Sequence, residues 1–137
     1  MKETPPLDLL DEAKRVWGHA YAPYSGFRVG CALRAASGKL YAGANVENGA
    51  YGLSRCAEQA AVLAMASAGE RAFSDAVVYT ASGPPASPCG ACRQILYEFS
   101  PSARVFMVNR QGEIRSVSVA ELLPGAFTLS DQREGDA

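Results

Sequence analysis

The sequence predicts an α/β protein, because segments of helical and strand periodicity interleave along it in the order α-β-β-α-β-α-β-β. Length and composition agree with that class. At 137 residues the chain suits one compact domain spanning 1–137, which buries about two-thirds of its unfolded surface without disulfide staples. Its residues are 48% hydrophobic and 20% charged, as expected of a folded chain rather than a disordered one.

Each element has its own signal. Leu10, Ala13, Trp17, Ala20 and Tyr21 recur at helical spacing, so 7–21 reads as an amphipathic helix, and Pro and Gly make 22–26 a loop. In 27–35, Phe27, Val29, Cys31, Leu33 and Ala35 alternate with Arg28 and Arg34, the pattern of a half-buried strand. Ser37-Gly38 turns the chain into a second strand over 39–47, with Leu40, Ala42 and Ala44 on one face. A glycine-containing loop covers 48–54. The alanine-rich stretch 55–68, carrying Leu63 and Met65, is a helix that stops at Gly69. A short apolar run over 75–81 is a buried strand, and the prolines of 82–88 forbid regular structure there. Residues 90–99 form a short helix with Ile95, Leu96 and Phe99. Strands at 104–109 and 113–119 flank a turn at Arg110-Gln111-Gly112, 120–125 is a helical turn, and 130–137 is a solvated tail.

The formal net charge is −1, and no basic stripe marks a nucleic-acid polymer as the partner. No run of about 18 apolar residues predicts a membrane span, and the polar, acidic N-terminus lacks the apolar centre of a signal peptide. The expected compartment is the cytoplasm. There the four cysteines are metal ligands, nucleophiles or buried thiols rather than disulfides.

Two cysteine stretches carry the chemistry, "CAEQAA" from Cys56 and "PCGACRQ" from Pro88, and each lies where a loop enters a helix. Helix first turns offer free N–H groups and partial positive charge, which favour thiolate. Cys89-x-x-Cys92 is half of a zinc site, although a redox pair has the same spacing. His19 has no second ligand at metal spacing, and Cys31 falls on the inward face of a strand. Cys56 is therefore the third candidate ligand. Three thiolates leave one tetrahedral position open, as in catalytic zinc, whereas a structural zinc module needs a fourth ligand and only Cys31 or His19 remains to supply it. Glu58, two residues past Cys56, is placed to exchange protons with a water in that open position. Asn45 and Glu47 share one side of an extended segment at a strand end and point two polar groups one way.

These motifs, with "YAPYSGFRVG", "NVENGAYG" and "ELLPGAF" in the same order, resemble the cytidine deaminases of the small, all-cysteine, homotetrameric type. The resemblance implies a three-layer α/β/α fold with a five-stranded mixed sheet. It implies Zn²⁺ on Cys56, Cys89 and Cys92, with Glu58 as the catalytic proton carrier. It further implies that Asn45 and Glu47 bind the ribose 3′-hydroxyl, that Phe27 lines the base pocket, and that the Ala57 backbone fixes the pyrimidine edge. Tyr51 and Phe127 are then offered to a neighbouring copy, in a homotetramer acting on a nucleoside. A related aminopyrimidine nucleoside such as blasticidin S is the alternative substrate. The chain departs from the family at Gln59, where arginine is usual. The missing charge beside the sulfurs is expected from the two helix N-termini and from Arg93, with Arg55 less central.

Overall fold

The computed structural model describes residues 3–129; the tail expected at 130–137 lies outside the described residues. Helix α1 (Leu7–Trp17) is followed by strands β1 (Val29–Ala35) and β2 (Leu40–Ala44) and by a single 3₁₀ turn at Tyr51–Leu53. Then come α2 (Ala57–Ser67), β3 (Phe73–Thr80), α3 (Gly90–Phe99), β4 (Arg104–Val108), β5 (Ile114–Ser118) and the short α4 (Val119–Leu122). The strands form one sheet in the order β2-β1-β3-β4-β5. Only β3 and β4 run parallel, joined through α3; the other neighbours are antiparallel. The sheet is thus mixed and five-stranded.

Each face of the sheet has its own core. On one side Leu9 and Ala13 of α1 pack on Ala32, Val77, Tyr79, Phe106 and Val108. On the other, Ala61, Val62 and Met65 of α2 and Leu96 of α3 cover Cys31, Leu33, Val78, Val105 and Met107. Each buried side chain of Val or Leu size stabilises the fold by about 1.5–3 kcal/mol. Two glycines set the helix heights. A Cβ on Gly30 would sit 2.1 Å from the Ala13 carbonyl oxygen, and one on Gly43 would sit 2.5 Å from Ala61 N and 2.6 Å from Ala60 Cβ. Backbone of α1 therefore rests on β1, and backbone of α2 on β2.

The structure corrects three readings of the sequence. First, β1 is buried on both faces rather than half-buried, because α1 covers Gly30 and Ala32. Second, α1 ends at Trp17, since i→i−3 bonds from Gly18, His19 and Ala20 to Arg15, Val16 and Trp17 tighten and close its last turn. Ala20 stays buried, but Tyr21 turns away to bridge Val46. Third, β1 starts at Val29 and β2 ends at Ala44. Beyond those ends one backbone bond persists, from Asn45 N to the Val29 carbonyl at 3.3 Å, and the Asn45 side chain takes over the rest: Val29 N donates to its Oδ1 at 2.8 Å, and its Nδ2 donates to the Phe27 carbonyl at 2.8 Å. Phe27 is thereby freed from the sheet.

Candidate active site

Helices α2 and α3 begin side by side and bring three sulfurs together. Cys56 is the N-cap of α2 in extended backbone conformation, and its side chain makes no capping bond. Cys89 is the N-cap of α3, where its Sγ accepts from Cys92 N at 3.4 Å. The Sγ atoms lie 3.9 Å apart for Cys56–Cys89 and 3.3 Å for Cys89–Cys92, all three within 4.8 Å of one another. A tetrahedral metal with bonds of about 2.3 Å to sulfur has ligand–ligand edges of about 3.8 Å, so the trio fits zinc with little adjustment. Among the described residues no fourth ligand joins them. Cys31 is fully buried in the core beneath α2, and His19 is exposed at the end of α1. A closed structural zinc site has nothing here to complete it.

The titration of the thiols and Glu58 follows from this packing. Hydrogen bonding with Cys92, then with Cys89, together with attraction to Arg55, outweighs burial and lowers the Cys56 thiol to about 6. The same pairing pushes the Cys92 thiol well up, burial adding to it. Of the three thiols, Cys56 is therefore the one this packing most favours as thiolate. Glu58 is only 5% exposed. Burial raises its carboxyl to about 6, and the neighbouring Cys56 charge adds to the rise, poising it near neutrality for proton exchange.

Gln59 stands beside the sulfurs as a neutral donor, whereas Arg93 does not take the compensating role expected of it. Gln59 is buried, and its Nε2 donates to Cys92 Sγ at 3.7 Å. Arg93 reaches no sulfur. Its Nε, Nη1 and Nη2 donate at 2.8 Å to the Pro88 carbonyl, the Leu122 carbonyl and Ser87 Oγ. The backbone carbonyls at the end of α4 and before Cys89 hold the guanidinium away from the metal site, so Arg93 braces the 87–88 segment. Arg55 attracts the Cys56 thiolate, the smallest of the influences on that thiol, and donates to the Gly52 and Ser54 carbonyls at 3.2 and 2.8 Å.

One cleft of about 300 Å³ gathers Phe27, Asn45, Glu47, Ala57, Glu58 and the three cysteines, along with Ser25, Val29, Val78, Ala86 and Ser87. Its size is at the small end for ligand sites and suits one small molecule. Glu47 Oε1 accepts from Tyr24 N and Ser25 N at 3.0 and 3.1 Å, and its Oε2 accepts from Ser25 Oγ. Nothing in the sequence singles out Ser25; a serine in a Pro-Tyr-Ser-Gly loop reads only as a turn residue. Two expected residues lie outside the cleft. Tyr51 is 78% exposed in the 3₁₀ turn, edge-on to Tyr24 at 6.2 Å, and lines an adjoining cavity of about 330 Å³ with Tyr24, Ser25, Glu47 and Ser54. Phe127 is exposed, and its carbonyl accepts from Gln94 Nε2 at 3.0 Å.

The chain matches the family model described as the cytidine and deoxycytidylate deaminase zinc-binding region over residues 5–108. It is 45% identical over 124 residues to a cytidine deaminase of Sporosarcina psychrophila, covering 90% of this chain and 91% of that one. It is 43% identical over 127 residues to the cytidine deaminase of Halalkalibacterium halodurans, covering 92% and 96%. The crystal structure of cytidine deaminase from Burkholderia pseudomallei superposes with a TM-score of 0.86 at 42% identity, covering 90% of this chain and all of that one.

Proposed function

This chain belongs to the cytidine and deoxycytidylate deaminase family, and from that premise we propose that its cleft hydrolyses cytidine and deoxycytidine to uridine and deoxyuridine with release of ammonia. The observation that carries the reading is the buried carboxyl of Glu58, on the first turn of α2, in one cleft with three converging thiols. Cys56, Cys89 and Cys92 would hold Zn²⁺, which when bound would supply a Lewis acid that brings water deprotonation near neutral pH. Glu58 accepts a proton from the attacking water as oxygen bonds to C4 of the base, and delivers it to N3. It then carries the second proton to the departing amino nitrogen as the C4–N4 bond breaks, giving ammonia. Phe27 walls the base, and the Ala57 backbone holds the pyrimidine edge.

Asn45 and Glu47 are the sugar end of the site. Their loop contacts leave capacity for a ligand: Glu47 Oε2 has a single acceptor bond and Asn45 Nδ2 a second N–H. A 3′-hydroxyl can donate to the first and accept from the second. Replacing Glu58 by Gln tests the mechanism. It should lower kcat by about 10²- to 10⁴-fold in the loss of cytidine absorbance, while bound zinc stays at one per chain. Unchanged turnover would refute the role of Glu58.

The same reading extends to assembly. A homotetramer that shares its sites is supported by the exposure of Tyr51, Leu53 and Phe127, at 78%, 60% and 59%, since large apolar side chains in such number suit a covering neighbour. Sedimentation of the purified protein tests it. We read the chain as one domain, and the unpaired thiols favour a reducing, cytoplasmic setting.

A further inference from the structure

We infer that Ser25 is a positioning residue that couples recognition of the sugar to placement of the aromatic wall against the base. This rests on the proposed role of Glu47 at the sugar. Ser25 stands between the two: its Oγ donates to Glu47 Oε2 and accepts from Phe27 N at 3.0 Å. The two carboxylate oxygens are held differently. Oε1 is fixed by two backbone N–H groups, of Tyr24 and Ser25, whereas among the described residues Oε2 is held by the Ser25 hydroxyl alone. Oε2 is also the oxygen with room for a sugar hydroxyl. The hydroxyl that aims the sugar acceptor is thus the one that fixes the backbone of Phe27. Phe27 has little else to hold it, because it precedes β1 and is tied to the rest of the fold by a single bond from Asn45 to its carbonyl. Ser25 lines the same cleft as both residues.

Deleting the hydroxyl leaves Oε2 unaimed and the Phe27 N–H without an acceptor. The sugar hydroxyl then loses much of its grip, and the base loses its wall, while the sulfur frame and Glu58 stay in place. The effect belongs in KM rather than kcat. It should also depend on the sugar, because the 3′-hydroxyl and the Ser25 hydroxyl act through one oxygen.

The experiment is a cycle between protein and substrate on the zinc-loaded full-length enzyme, with cytidine and 3′-deoxycytidine as substrates for wild type, Ser25→Ala and Ser25→Thr. Wild type should prefer cytidine by at least about tenfold in kcat/KM. In Ser25→Ala the KM for cytidine should rise about tenfold, the loss expected for a hydrogen bond to a charged group, with kcat within about threefold. The penalty for lacking the 3′-hydroxyl should shrink by at least about threefold, and Ser25→Thr should restore both values. If Ser25→Ala fails to fold, Ser25→Cys weakens both bonds at nearly the same size and should shift the same values in the same direction. The coupling is overturned if wild type prefers cytidine and the variant keeps that preference undiminished, or if Ser25→Thr is as impaired as Ser25→Ala. A wild type indifferent to the 3′-hydroxyl would instead overturn the sugar role of Glu47, and the coupling with it.

Discussion

Replacing Gly43 by Ala should move the catalytic helix. The added Cβ would lie 2.5 Å from Ala61 N, 2.6 Å from Ala60 Cβ and 2.7 Å from Ala60 C. Ordinary contact starts near 3.4 Å, so α2 must withdraw by about 1 Å, because two of the three obstacles are backbone and none is a flexible side-chain end. The backbone of Gly43 lies outside the left-handed region, so the cost is one of space alone. Overpacking of this kind costs about 1–3 kcal/mol, a fall in Tm of about 3–10 °C for a chain of this size. The N-terminal end of α2 carries Cys56 and Glu58, and a misplacement of about 1 Å costs on the order of 10²-fold in rate. Thermal melts read the first effect and kcat/KM for cytidine the second. Gly30→Ala is the control: its Cβ would strike Ala13 O at 2.1 Å and Trp17 N at 2.8 Å, displacing α1 on the opposite face. It should lower Tm at least as much and activity much less. Gly43→Ala with an unchanged Tm and unchanged kcat/KM would refute the reasoning, as would equal loss of activity in both variants.

Three further outcomes test the metal site. Gln59→Leu removes the donor to Cys92 Sγ while keeping similar bulk, and should weaken zinc affinity by about 10- to 100-fold in competition with a chelator. Arg93→Ala should leave that affinity within about threefold, because none of its bonds reaches a sulfur, but should cost about 2 kcal/mol of stability in urea melts through its three lost charge-assisted bonds. Chelation of the metal should abolish deamination and lower Tm, with both restored on adding zinc, since ligands drawn from α2 and α3 couple binding to folding.

The sulfur cluster was legible because cysteine has few roles in such a chain and the Cys-x-x-Cys spacing restricts them further; the structure brings Cys56 to the pair. Element order and the α/β class were legible from apolar periodicity, whereas the five-stranded mixed sheet came from the family resemblance. The burial of β1 was not, because Arg28 and Arg34 imitate a solvent face, whereas Gly30 and Ala32 between them are small enough to lie under α1. The work of Arg93 was hidden for a different reason. One of its acceptors, the Leu122 carbonyl, is 29 residues away, and backbone acceptors leave no mark on side-chain identity. Ser25 was equally silent, since its meaning depends on Glu47, 22 residues on.

The substitution of side-chain bonds for strand pairing around Asn45 divides the labour of the cleft. The sulfurs and Glu58 ride on helices locked to the sheet, whereas residues 24–27 are tied across the cleft by the side chains of Asn45 and Glu47 and have one backbone bond of their own, from Gly26 N to the Ala22 carbonyl. That short span can be recut without disturbing a ladder or a core. A change in which nucleoside is accepted should therefore arise, in the laboratory or in nature, by exchanges at positions 25–27, with the chemical apparatus carried through intact.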